Sequence, residues 1–148
     1  NVHAAGGFDM MQRGAAAFRK ENQNGKIIAV TQLTSTDEKT MQREQQTSLS
    51  LTDSVLHYAS LAYKAGLDGV VSSPLESRMI HNEISADFLT VTPGIRLQNN
   101  KTDDQVRVVT PEKARLLGSD YIVVGRPITQ HENPPAAYAE IKRLWEGE

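Results

Sequence analysis

The chain has 148 residues with 16 basic and 18 acidic side chains, a formal net charge of -2, and no cysteine. That balance argues against bulk nucleic-acid binding, which usually shows a basic surplus, and the lack of cysteine excludes disulfides, thiolate nucleophiles and cysteine-held metals. At 39% hydrophobic residues the composition suits one packed domain, with no apolar run near the ~20 residues of a membrane helix.

Residues 1–5 (NVHAA) read as the end of a strand. Gly6-Gly7 makes a tight turn into a helix over 8–20, and the polar run 22–25 ends it. Residues 26–33 (KIIAVTQL) form the second predicted strand. In TSTDE at 34–38, Ser35 and Glu38 have capping-box spacing and predict the start of a short helix. A longer amphipathic helix is predicted over about 51–65, where Val55, Ala59 and Ala62 share one face. Gly66 stands where a helix C-terminal glycine belongs.

Residues 69–72 (GVVS) are the third predicted strand, and Ser73-Pro74 with Glu76 opens another helix. Residues 88–92 (FLTVT) are the fourth strand. The stretch 97–105 is too polar for a core. Thr110-Pro111 opens a helix that ends near Gly118. Residues 121–124 (YIVV) are the fifth strand, and 134–145 the last helix, with Trp145 as its packing anchor.

These strands are short, apolar and β-branched without strict alternation, the pattern of a parallel sheet buried on both faces. Each is joined to the next by helix, so the class is α/β. No low-complexity linker divides residues 1–148. Two architectures fit. One is an open doubly wound sheet. The other is the back part of a (β/α)8 barrel, which has eight strands and typically about 250 residues; a chain that opens in mid-strand suits it.

Two segments carry anion chemistry. TPGIR at 92–96 leaves the fourth strand, and GRP at 125–127 leaves the fifth at the same end. Each joins a glycine, whose backbone can approach an anion closely, to an arginine, whose donor fork matches phosphate oxygens. In barrels the loops after the last two strands often bind phosphate. The alternative is that Gly94 and Gly125 are turn glycines and Arg96 and Arg126 surface charges. TQLTS at 31–35 ends the second strand with three hydroxyls and an amide, donors and acceptors suited to the edge of a heterocycle; helix capping is the competing explanation for Ser35. Gln105 lies in the polar loop, where mobile segments can close over a ligand, although a loop glutamine taken alone is more often merely solvated. His3 is expected as a hydrogen-bonded interior residue. His57, His81 and His131 lack metal-ligand spacing. Asp37-Glu38 and Asp103-Asp104 read as structural or solvated.

NVHAAGG, IAVTQLTSTDE, GLDGVV, LTVTPGIR, DDQVRVVTPEKA and GSDYIVVGRPIT together resemble successive segments of bacterial orotidine 5′-phosphate decarboxylases, in that family's order and spacing from Asn1 to about Trp145. The resemblance implies a (β/α)8 TIM barrel, of which this chain supplies about strands four to eight. It implies a cytoplasmic homodimer that converts orotidine 5′-phosphate (OMP) to UMP and CO2 with no metal and no organic cofactor. By position, Thr34 resembles the pyrimidine-contacting hydroxyl, and Arg96, Gln105, Gly125 and Arg126 resemble the phosphate contacts. The family's catalytic Asp-x-Lys-x-x-Asp run has no counterpart in this sequence, nor do the aspartate and lysine of the first two strands. The segment alone is therefore expected to be inactive, as a piece of a longer polypeptide or a fragment needing its other part. Two rival readings stay open. One is another phosphate-sugar enzyme of the same superfamily, with a magnesium site; the other is a non-catalytic half-barrel that binds nucleotide or self-associates through unpaired edges.

Overall fold

The computed structural model describes residues 1–97 and 107–148. Its strands are β1 (Val2–His3), β2 (Ile28–Val30), β3 (Gly69–Val71), β4 (Leu89–Thr92) and β5 (Tyr121–Ile122). All four pairings are parallel, and the sheet order β1-β2-β3-β4-β5 follows the chain. A doubly wound sheet reverses its direction of growth at a switch point. This sheet never reverses, which excludes the open alternative and leaves barrel-type winding.

The connections are α1 (Phe8–Glu21) after β1, α2 (Glu38–Glu44) and α3 (Leu51–Lys64) after β2, and α4 (Ser77–Glu83) after β3. Then come α5 (Pro111–Leu116) between β4 and β5, and α6 (Arg126–Thr129) and α7 (Pro134–Glu146) after β5. Register places Ala29, Val70 and Thr90 in one row and Val30, Val71 and Val91 in the next. Successive side chains point to opposite faces. Ala29 and Val70 therefore meet the helices, in a core with Met11 and Ala15 of α1, Val55, Ala59 and Ala62 of α3, and Ile80 of α4. The valine row faces the other way. On that side Tyr121 and Val123 stand 57% and 49% exposed, so the expectation of burial on both faces holds only for the helix side.

Caps set most helix starts as the residue types dictate. Ser50 accepts from Asp53 N–H at the start of α3, and Thr110 accepts from Lys113 N–H at the start of α5, with Pro111 in its first turn. Ser73 and Glu76 form a reciprocal capping box over the 3₁₀ turn Pro74–Glu76 that leads into α4. Gly66 closes α3 at φ +81°, which a side chain would strain. Gly69 has a different reason: a Cβ there would lie 2.3 Å from Leu89 O, so only glycine lets β3 and β4 approach.

Several expectations need correction. The cap of α2 is Asp37, not Ser35: the Asp37 carboxylate accepts from Thr40 N–H at 2.7 Å, and that backbone bond holds its pKa below the ordinary aspartate value. A turn closed by Thr36 N–H to Leu33 O at 2.9 Å occupies the intervening residues and delays the helix. Glu38 instead accepts from Leu51 N–H at 2.8 Å, tying α2 to α3. His3 is exposed rather than interior, because its register opposite Val30 puts it on the face of the sheet away from the helices. Trp145 is half-buried, and Ala137 and Ile141 are the residues that anchor α7. β5 ends at Ile122, and the four-residue α6 follows it.

Candidate functional site

Parallel strands deliver every loop that follows a strand to one end of the sheet, and there a cavity of about 310 Å³ opens. Val30, Val71 and Val123 give it an apolar floor. Its polar wall has Thr34 and Ser35 from the loop after β2, Ser72 after β3, Gly94 and Arg96 after β4, and Gly125 and Arg126 after β5. Four of the five residues expected to hold a ligand, Thr34, Arg96, Gly125 and Arg126, thus border one space. The fifth, Gln105, lies outside the described residues, as does the pair Asp103-Asp104.

The backbone around Arg96 is rigidly held. Gly94 takes φ +84°, and residues 94–96 bridge to Val109: Val109 N–H donates to Gly94 O at 3.1 Å and Arg96 N–H to Val109 O at 2.9 Å. Thr92, fully buried, donates through Oγ1 to Tyr121 O at 3.1 Å and fixes the spacing of β4 and β5. The Arg96 side chain is buried at 8% exposure; one Nη donates to Ile95 O at 2.8 Å, and Nε is buried with no partner among the described residues. Ser72 Oγ is unsatisfied in the same sense. Unmade bonds at buried polar atoms are costly, and a bound oxyanion is the kind of group that would engage the Arg96 donor. Two guanidinium groups on one cavity also make its local charge positive, against the net charge of -2 for the chain.

The structure divides the TQLTS hydroxyls and amide into two sets. Thr31 Oγ1 donates to Val71 O at 2.9 Å. The Gln32 amide is consumed by a reciprocal pair with Gln45, 2.9 Å each way, and by Ser54 Oγ at 2.9 Å. Thr31 and Gln32 are therefore braces, although Gln32 also borders the cavity, and Thr34 and Ser35 line it.

Two charged residues that the sequence did not single out as site residues stand at the same end. Arg107 forms a buried ion pair with Glu76 and donates to Gln32 O and Leu33 O. An arginine set among valines, in RVV at 107–109, was the available signal. Among the described residues no group of three or more His, Asp or Glu side chains is placed to hold a metal, and no helix is long and apolar enough to cross a membrane.

Comparisons with known proteins bear on the family and the fold. The profile of the family described as "Orotidine 5'-phosphate decarboxylase / HUMPS family" matches residues 1–141. An orotidine 5′-phosphate decarboxylase of Staphylococcus aureus is 57% identical over 145 residues, covering 98% of this chain and 63% of that protein. Its namesake from Staphylococcus saprophyticus is 54% identical over 147 residues, covering 99% of this chain and 64% of that protein. The crystal structure of the Lactobacillus acidophilus orotidine 5′-phosphate decarboxylase superposes with a TM-score of 0.81 at 39% identity, covering 97% of this chain and 62% of that one. The chain thus spans a little under two thirds of the relatives it matches.

Proposed function

The chain belongs to the orotidine 5′-phosphate decarboxylase / HUMPS family, and on that premise we propose that it is the nucleotide-holding portion of an orotidine 5′-phosphate decarboxylase. The complete enzyme would convert OMP to UMP and CO2 in pyrimidine biosynthesis, as a cytoplasmic homodimer. The observation that carries the reading is the meeting of Arg96, Gly125 and Arg126, from two successive strand ends, with Thr34 in one cavity. In this reading the two guanidinium groups and the Gly125 backbone hold the 5′-phosphate dianion, and Thr34 meets the pyrimidine edge. Gln105 joins the phosphate contacts on the family resemblance alone. Charge-assisted bonds of this kind are among the stronger hydrogen bonds.

The reaction removes the C6 carboxylate as CO2 and places a proton on the same carbon. This chain holds none of the family's lysine-aspartate array, so its contribution is binding and orientation. The phosphate is remote from the bond that breaks, but remote binding energy lowers the barrier when it is realised in the transition state. The apolar lining of Val30, Val71 and Val123 lowers the local dielectric on one side of the ligand, which strengthens the charged contacts there.

The test compares two samples. The 148-residue chain alone is expected to bind UMP, and to prefer it to ribose 5-phosphate, without converting OMP. A chimera joining the chain to the portion of the S. aureus relative outside the match is expected to decarboxylate OMP without added metal. A chimera that folds but turns over OMP only with added magnesium, or a chain indifferent to the base, sinks this reading.

A further inference from the structure

Arg107 does not line the cavity, yet its guanidinium is heavily engaged at the loop end of the sheet. One Nη donates to the Glu76 carboxylate; the other donates to Leu33 O at 3.0 Å and Gln32 O at 3.3 Å. Its backbone N–H donates to Thr34 O at 3.3 Å. Glu76 is fixed in turn by Ser73 N–H, 2.8 Å from its other oxygen. One residue thus ties together the chain segments that follow β2, β3 and β4.

Arg107 and Glu76 side chains are each 10% exposed. Burial lowers the Arg107 pKa from the ordinary arginine value, but an arginine remains charged across the working pH range. A buried ion pair is a weak source of net stability, because desolvation offsets the attraction. What a planar fork of donors does supply is geometry. Here the fork grips Gln32 and Leu33, and the adjoining backbone grips Thr34, the residue whose side chain faces the cavity. Gln32 is clamped on its amide side by Gln45 and Ser54 as well, so the short segment 32–34 is held from both flanks.

Resting on the nucleotide reading above, we propose that Arg107, braced by Glu76, is a positioning residue that sets the segment after β2 so that Thr34 meets the pyrimidine, while the phosphate is left to Arg96 and Arg126. Its effect is then on recognition of the base and not of the phosphate, which a merely structural role would not separate.

Calorimetric titration of the 148-residue chain with UMP and with ribose 5-phosphate tests this, since the two ligands share phosphate and ribose and differ by the base. Arg107→Met is expected to cut the preference for UMP by about tenfold, the worth of one hydrogen bond at ~1.4 kcal/mol per tenfold, with ribose 5-phosphate affinity kept within about threefold, under half an ordinary hydrogen bond. Arg107→Lys keeps a buried charge opposite Glu76 but lacks the fork; it is expected to lose preference in the same direction and covers the case in which the methionine variant does not fold. A preference for UMP that survives in the folded variants overturns the positioning role. A wild-type chain with no such preference overturns the nucleotide reading, and the positioning role with it.

Discussion

Arg96 and Arg126 enter the cavity from different local settings. Arg96 is buried and its backbone is bridged to Val109, whereas Arg126 opens a four-residue helix at the rim. Removing a hydrogen-bonded charge partner costs roughly 2–5 kcal/mol. In the chimera, Arg126→Ala is accordingly expected to lower kcat/KM by roughly 30- to 5,000-fold, at ~1.4 kcal/mol per tenfold, and steady-state OMP turnover measures it. An unchanged kcat/KM removes Arg126 from the phosphate site. That both arginines would leave the same end of the sheet was legible in the sequence, because each follows a glycine at a strand's end, a local signal. Arg107 was not, since its side-chain partners lie 31, 74 and 75 residues away and two of them are main-chain oxygens with no side-chain signature. Nor could the sequence divide the TQLTS group: Thr31 and Gln32 turn inward to Val71, Gln45 and Ser54, contacts that exist only after folding.

Elements announced themselves where one residue type dominates a local equilibrium. Ser73 and Thr110 cap the helical turns that follow them, as their hydroxyls favour. Ser35 failed as a cap because Asp37, two residues on, offers a carboxylate to the helix and a turn fills the gap. The strands proved shorter than their apolar runs; β3 and β5 stop at Val71 and Ile122, where their loops leave toward the cavity. β3 approaches β4 closely at Gly69, where a methyl group would overlap the Leu89 carbonyl. Gly69→Ala is expected to destabilise the chain by about 1–3 kcal/mol, the usual cost of overpacking, read as a lower urea midpoint at constant m-value. A midpoint unchanged within error would mean that β3 and β4 part more easily than this register allows.

At the scale of the molecule, the α/β class was legible from the repeating strand and helix pattern, but barrel and doubly wound sheets share that pattern and differ only in strand order. The pattern alone left the two open; the family resemblance implied the barrel, and the sheet order bears it out. The face carrying Tyr121 and Val123 is apolar and half open to solvent, and such patches drive association. Light scattering on the 148-residue chain is expected to give a mass above 16.3 kDa that rises with concentration. The pair Tyr121→Lys and Val123→Glu is expected to restore the monomer mass, and association undiminished in that variant would place the contact elsewhere. Because every strand adds beside its predecessor, no pairing waits for a distant part of the chain: Ile28 meets Gly69, Gly69 meets Leu89, and Val91 meets Tyr121. Such a sheet can assemble vectorially, each βα unit docking on the one before it as the polypeptide leaves the ribosome, so that each step closes only the loop to the preceding strand.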